Sequence, residues 1–585
     1  ARMLPAAEMH ATLARMRRTD TIAAPDEETA REIAQRAGAR MVLLPAVMNV
    51  GGRLIGTYRL VDAATGRIMR ARESTAGSPA DAYAMISRLV RSLPGDLAAA
   101  PPAPPGERLS RVTTSSLEAL RAYSVASRLL DNADPAAHGV LQQAVALDST
   151  FASAHSVLAY TYWFHYDQTR AERHAAAAAR WANDLPRDEK LNVLRNVANA
   201  REDWESAINY SRALVERDRR NGAAWYALAQ LLFFDHRYSR ALEAYDSAAM
   251  YVNPSQRVTL GINRATVLLH MGRANEAVLE FRRSIAQDSS LLREEFVNHE
   301  YGAALARVGQ VDEARIVYQV RLDGTPVERA TTLRSLAMLE AHEGRFARAG
   351  ELLGDAVTGG SAAGDTLGAS IAHLLLADVH IARGRPAGAL VHLAILEKDV
   401  RTRPLPYEVV AHAVKLLARL GAPARAEALL VHLDSQMTAV SSRARARRLL
   451  ARGEVLLARG RATDGRAALE QALALAPNDD IRESAAHAAL AAGALEQGAA
   501  RYDSLGARRA IDLDGHALVE LGSYWAGKAW ERAGRPDRAE AAYRAVLDAW
   551  PNGDTDLPAV VEARQRLARL AQPFRSSDSP TGVSP

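Results

Sequence analysis

From about Ser115 to Asn552 one pattern recurs roughly every 34 residues. A chain that repeats at that interval builds a stacked array in place of a single core. The register is set by a small residue midway along a first helix. Ala229 is followed by Ala241, Tyr245 and Ala248, and Gly302 by Gly309, Ala314, Tyr318 and Pro326. Ala337 is followed by Gly344, Phe346, Ala349 and Ala356, and Ala377 by Gly384, Ala389 and Leu393. Gly453 leads to Gly460, Leu469, Ala472 and Pro477; Gly527 leads to Trp530, Gly534, Ala539, Tyr543 and Pro551. Antiparallel helices approach closely only where small residues face each other, which explains Gly or Ala at both crossings. The aromatic four residues beyond the second Ala fills the gap to the next hairpin. Glycine in the turn permits a left-handed C-cap, and proline opens the next helix.

These offsets, with Trp225 and Leu228 preceding Ala229, resemble the tetratricopeptide (TPR) pattern. The resemblance covers about three-quarters of the chain and implies a mainly α fold: a TPR α-solenoid of about twelve helical hairpins over residues 113–556. Hairpins near 151–187, 406–440 and 480–510 keep only part of the pattern. Stability is expected to be shared between neighbouring repeats. Pro558–Leu570 is expected to cap the array (residues 557–571), and residues 572–585 read as a disordered tail.

Residues 1–98 differ. Helical periodicity is expected in Ala6–Arg18, Asp26–Ala37 and Pro79–Leu93, and strands in Met41–Asn49, Arg53–Asp62 and Arg67–Ser74. The Ala63-Ala64-Thr65-Gly66 turn is a hairpin signal. The stretch "AQRAGARMVLLPAVMNVGGRLIGTYRLVDAATGRIM" resembles the TolB-N/FlgO-like domain of bacterial envelope and signalling proteins. That family begins with a further strand, so this small α/β domain is expected to be N-terminally truncated. A proline-rich linker (99–112) follows. The junction "LSRVTTSSLEALRAY" resembles the C-terminal sensor region of bacterial serine/threonine kinase-like or winged-helix signalling proteins. The chain carries no Gly-rich loop, His-Arg-Asp or Asp-Phe-Gly motif, so a kinase, if there is one, is expected upstream of Ala1.

Several functions are disfavoured by composition. The absence of cysteine excludes disulfides, thiolate metal sites and cysteine nucleophiles. Net charge is +5, yet the basic residues other than Lys190, Lys398, Lys415 and Lys528 are arginines interspersed with acids, so nucleic acid is not an expected partner. No apolar run is long enough to span a bilayer. A bacterial, envelope-exposed location is favoured over the cytoplasm. His373, His380 and His392 invite a metal, but two helical turns separate the first pair, and neither cofactor nor metal is expected. No catalytic constellation is legible, so an enzyme is not expected.

Half of the aromatic residues fall within 151–251. Carrying over the ligand-facing positions of TPR inner helices (second, fifth, ninth, twelfth and thirteenth) selects Tyr160, Trp163, Phe164, Tyr226, Gln230, Phe233 and Phe234. Further along, the same register selects His270, His299, Arg307, Arg334, Met338 and His342. Aromatic and arginine side chains on a concave surface suit a peptide anchor; the alternative is that they pack between repeats. Arg443, Arg447 and Arg448 share a helical face and could hold phosphate or an acidic peptide, or form a solvated surface. The expected function is a non-enzymatic scaffold or sensor for a protein or peptide. The alternatives are an end-to-end homo-oligomer or filament, and the regulatory region of a membrane-anchored kinase.

Overall fold

The computed structural model describes residues 26–36, 39–51, 53–78, 81–96, 114, 116–131, 136–165, 167–252, 254–436, 441–508 and 521–570. The expected helix at Ala6–Arg18, the linker and the tail lie outside the described residues. Two compact units divide at Leu260/Gly261.

The first unit opens with helix Glu27–Arg36 and an antiparallel sheet in the order β1 (Met41–Val50), β2 (Arg53–Asp62), β3 (Ile68–Ala76). Met41 pairs with Asp62 and Val50 with Arg53, so a tight turn with Gly51 at φ +58° joins β1 to β2. The β2–β3 turn is held by Asp62 Oδ1, which accepts from the backbone N–H groups of Ala64 and Thr65 and from the Thr65 hydroxyl. Helix Ala82–Asp96 closes the sheet through Met85, fully buried beside Leu54, Ala76 and Ala82.

Helical hairpins make up the rest. In the first unit they are Leu117–Asp131 with Ala136–Leu147, Ala152–Phe164 with Gln168–Trp181, Arg187–Ala200 with Trp204–Arg217, and Gly222–Phe234 with Tyr238–Ala249. The unit boundary falls within helix Pro254–His270. In the second unit, first helices include Glu295–Arg307, Pro326–His342, Thr366–Ala382, Tyr407–Arg419, Ser442–Ala458, Asp479–Ala491 and Gly522–Arg532. Each is followed by an antiparallel second helix, and Pro558–Leu570 comes last.

The sequence rules reappear as contacts. Tyr245, Tyr318 and Tyr543, each four residues beyond a small residue of the second helix, are among the largest fully buried side chains. A side chain at Gly527 would put its Cβ 2.5 Å from the Tyr543 ring, so only glycine admits that crossing. Some first helices start on side-chain caps: Asn221 accepts from the Ala224 N–H at 3.0 Å, and Thr325 forms a capping box with Glu328. They end in left-handed residues. At Gly309, φ is +79° and the next N–H, from Gln310, reaches back to the Leu305 carbonyl at 2.9 Å.

Candidate functional site

In the first unit three first helices begin at 152, 187 and 222, a strict 35-residue repeat. Equivalent positions therefore stack. The ninth carries Tyr160, Arg195 and Gln230; the twelfth Trp163, Ala198 and Phe233; the thirteenth Phe164, Asn199 and Phe234. Trp163, Trp204 and Phe234 form a triangle with centroid separations of 5.5–5.6 Å, Trp204 stacking on Phe234. Trp163 and Phe234 thus serve the packing between repeats, and Trp204, which the register did not select, completes it. Tyr160 lies 5.8 Å from Trp163 and 6.5 Å from Phe164. Phe233 lies between Phe234 and Tyr238 at 5.7 and 5.8 Å. Tyr160, Tyr226, Gln230 and Phe233 are half-buried, whereas Phe164 is 60% exposed.

Polar contacts fix these rings. The Trp163 indole N–H donates to Glu202 Oε1 at 3.2 Å, and Gln230 donates to the Tyr226 hydroxyl at 3.0 Å. His236 Nδ1 and the Tyr238 hydroxyl are 2.5 Å apart. Glu202 and His236 hold the left-handed turn position that glycine takes in other hairpins, at φ +54° and +57°. Strained non-glycine backbone is retained where the side chain is needed, and here both side chains orient aromatic neighbours.

Arg195 is the residue that motif reading missed. It occupies the ninth position between Tyr160 and Gln230, largely buried yet not sealed. Its Nε and Nη2 donate only to Asn196 Oδ1, at 3.4 and 3.1 Å. Burial pushes its guanidinium below the ordinary value, opposed by the phenols of Tyr160 and Tyr123.

Of the six register residues in the second unit, two are closed off and four are half-buried. Met338 and His342 are only 3% and 1% exposed, which removes them as groove residues. His342 lies at the end of its helix with its carbonyl accepting from the Trp550 indole at 3.0 Å. Arg334 is half-buried and 3.6 Å from Asp365, and burial lowers its pKa. His299 lies 3.3 Å from the Ser335 hydroxyl and stacks on Tyr318; Arg307 donates to the Leu269 carbonyl at 3.3 Å. His270 is half-buried at the end of its helix. Further along, first helices of successive hairpins pack directly on one another and their charges meet. His412 is 2.9 Å from Asp378; Lys415 lies 2.5 Å from Asp480 and 2.7 Å from Glu483; Arg419 bridges Glu454 and Glu483, both at 2.6 Å. The expected basic face is consumed too. Arg443 pairs with Glu408 at 3.0 Å, Arg447 with Asp480 at 2.7 Å and Arg448 with Asp434 at 2.5 Å. None of the three is left for phosphate or an acidic ligand, because a carboxylate of a neighbouring helix reaches each first.

Four histidines meet in two pairs. His373 and His392 approach Nδ1 to Nδ1 at 3.0 Å, as do His155 and His174 at 2.9 Å. Burial holds His392 and His174 down at about 4, with the neighbouring imidazoles adding to it. Among the described residues no group of three or more metal-ligating side chains converges, and no helix is long and apolar enough to cross a membrane.

This geometry defines a class, an α-solenoid of helical hairpins preceded by a small three-stranded sheet. No family model matches the chain, and no curated protein matches it. Solved structures do show a likeness. One is the APC/C hetero-tetramer Cut9-Hcn1, at 13% identity over 78% of this chain and 97% of that one, with a TM-score of 0.31. Another is a tetratricopeptide repeat protein from Parabacteroides merdae, at 14% identity over 51% of this chain and 97% of that one, with a TM-score of 0.30. At such scores neither carries the assignment, which rests on the hairpin geometry of this chain.

Proposed function

We propose that the chain is a non-enzymatic scaffold that binds a protein or peptide segment along the inner face of residues 152–249. The observation that supports this most is the contrast between equivalent positions. In the first unit they carry aromatic rings oriented by hydrogen bonds, with Phe164 60% exposed. In the second, Met338 and His342 are buried and Lys415 and Arg419 are tied up in ion pairs of the chain itself, and the half-buried positions carry histidine and arginine in place of aromatic rings. Aromatic side chains on a rigid scaffold offer large contact area at low entropic cost. Helical hairpins supply the rigidity, and the partial exposure of Tyr160, Tyr226 and Phe233 leaves contact area that a ligand could cover.

Peptides selected from a random displayed library on the purified full chain are expected to share a motif with an apolar anchor. Phe164→Ala should weaken them by about tenfold or more, the scale of an interface anchor. Its melting temperature should stay at the wild-type value, because Phe164 stands outside the Trp163–Trp204–Phe234 triangle. Selected peptides that bind Phe164→Ala as tightly as wild type would remove this face from consideration.

A further inference from the structure

Among the described residues of the first unit, Arg195 is a partly buried cation with no carboxylate beside it. Arg195 projects from a first helix, largely buried, and no carboxylate among the described residues pairs with it. Its one hydrogen-bond partner among the described residues is the amide oxygen of Asn196, and Asn196 in turn donates to the Ser156 hydroxyl at 3.2 Å. Glu189, one and a half turns earlier on the same helix, is engaged elsewhere and accepts from the Ser153 hydroxyl at 2.6 Å. Other cations at comparable places in this chain do have carboxylates: Arg334 has Asp365, Lys415 has Asp480, Arg419 has Glu454 and Arg447 has Asp480. A guanidinium presents five N–H donors and always carries its charge. Leaving it desolvated beside phenol rings is unfavourable unless something else completes it.

The geometry points to Arg195 as the anion-receiving centre of the face proposed above, and to an acidic segment of another protein as its ligand. That segment would present an aspartate or glutamate carboxylate to the guanidinium and an adjacent apolar side chain to Phe164. The inference rests on the inner face of residues 152–249 being the binding face. Charge complementarity carries it: one unpaired cation among aromatic rings fits a carboxylate next to an apolar residue. Tyr160, one hairpin away at the equivalent position, can cover the pair and exclude water, and a bidentate guanidinium–carboxylate contact is strengthened by such exclusion.

The test uses the full chain and short synthetic peptides in matched pairs, Asp against Asn and Glu against Gln, each beside Phe or Leu, with a phosphoserine member in every set. Wild type is expected to prefer the acidic member by about tenfold or more, and Arg195→Gln to abolish that preference. Arg195→Gln should also melt at or above the wild-type temperature, since it removes an uncompensated buried charge. A purely structural arginine would behave in the opposite way, and a clear fall in melting temperature overturns the proposal. So does a marked preference for phosphoserine over both carboxylates, which would assign the centre to phosphate. Peptides that bind without charge preference, but are weakened by Phe164→Ala, overturn the role of Arg195 and leave the binding face standing. Failure of every peptide to bind wild type overturns both.

Discussion

Glu202 shows how a single residue serves two demands. Its backbone sits in the left-handed region at φ +54°, where a Cβ is strained by about 1 kcal/mol or more, and its carboxylate accepts from the Trp163 indole. The two demands separate by substitution. Glu202→Ala keeps the strain and loses the acceptor, whereas Glu202→Gly loses the acceptor and relieves the strain. Chemical denaturation is expected to rank Glu202→Gly above Glu202→Ala by about 1 kcal/mol. Equal stabilities would mean the backbone strain is already relaxed. The small residues, turn glycines and following tyrosines were legible in the sequence because each obeys a local steric rule. Glu202 and His236 were not, since nothing in a glutamate or histidine announces a left-handed turn. Arg195 was missed for a related reason. A small residue midway along each first helix sets the register, and that hairpin has Leu194 in its place, so nothing in the pattern marks the ninth position.

At the scale of the element, helices Tyr407–Arg419, Ser442–Ala458 and Asp479–Ala491 are tied by charge as much as by apolar packing. The first and third belong to hairpins that keep the repeat pattern only in part, and their inward positions carry Lys415, Arg419, Asp480 and Glu483. Sequence could show that these charges exist, but not that residues 65 apart would meet. The network has a pH signature. Burial would lower the His412 pKa, but the carboxylates of Asp378 and Asp480 outweigh it and hold the imidazole up at about 9. Its contribution to stability is full below the unfolded value of 6.5 and is lost as pH rises through about 9. Glu483 is the converse. Burial would raise it, Arg419 and Lys415 hold it down at about 2, and its contribution is present above the unfolded value of 4.5 and fades as pH falls towards 2. Melting temperature is therefore expected to decline from pH 6.5 to 9 in wild type, and His412→Asn should flatten that limb. An unchanged alkaline slope in the variant would place His412 outside the titration. Asp480→Asn is the harsher change. It strips Lys415, Arg447 and His412 of a shared carboxylate and should cost about 3–5 kcal/mol in denaturant unfolding.

On the scale of the whole molecule, a repeat array is expected to be held by nearest neighbours, with openings that propagate from one hairpin to the next. The second unit departs from that expectation. Past helix Pro536–Ala549 the chain returns to the turn after helix Pro326–His342, 208 residues earlier. There the Trp550 indole donates to the His342 carbonyl at 3.0 Å, and its ring meets Phe346 edge-on at 5.8 Å. The Asp554 N–H donates to the Gly344 carbonyl at 3.0 Å, while the Asp554 carboxylate accepts from the Ala347 N–H at 2.7 Å. Gly344 is needed twice over, for its φ of +77° and because a Cβ would fall 2.5 Å from the Trp550 ring. A periodic pattern reports what lies one repeat away, so it could not reveal this tie. Mechanically, the tie couples two stretches that a linear array would let open separately. Trp550→Ala should remove a buried aromatic at a cost of about 3–5 kcal/mol, and its effect should appear at both ends of the contact. Hydrogen exchange followed by mass spectrometry is expected to show faster exchange at 343–347 as well as at 550–557, with the 152–249 hairpins of the first unit unchanged. Faster exchange confined to 550–557 would mean that the 343–347 turn is held by its own hairpin, and that the second unit behaves as an ordinary nearest-neighbour stack.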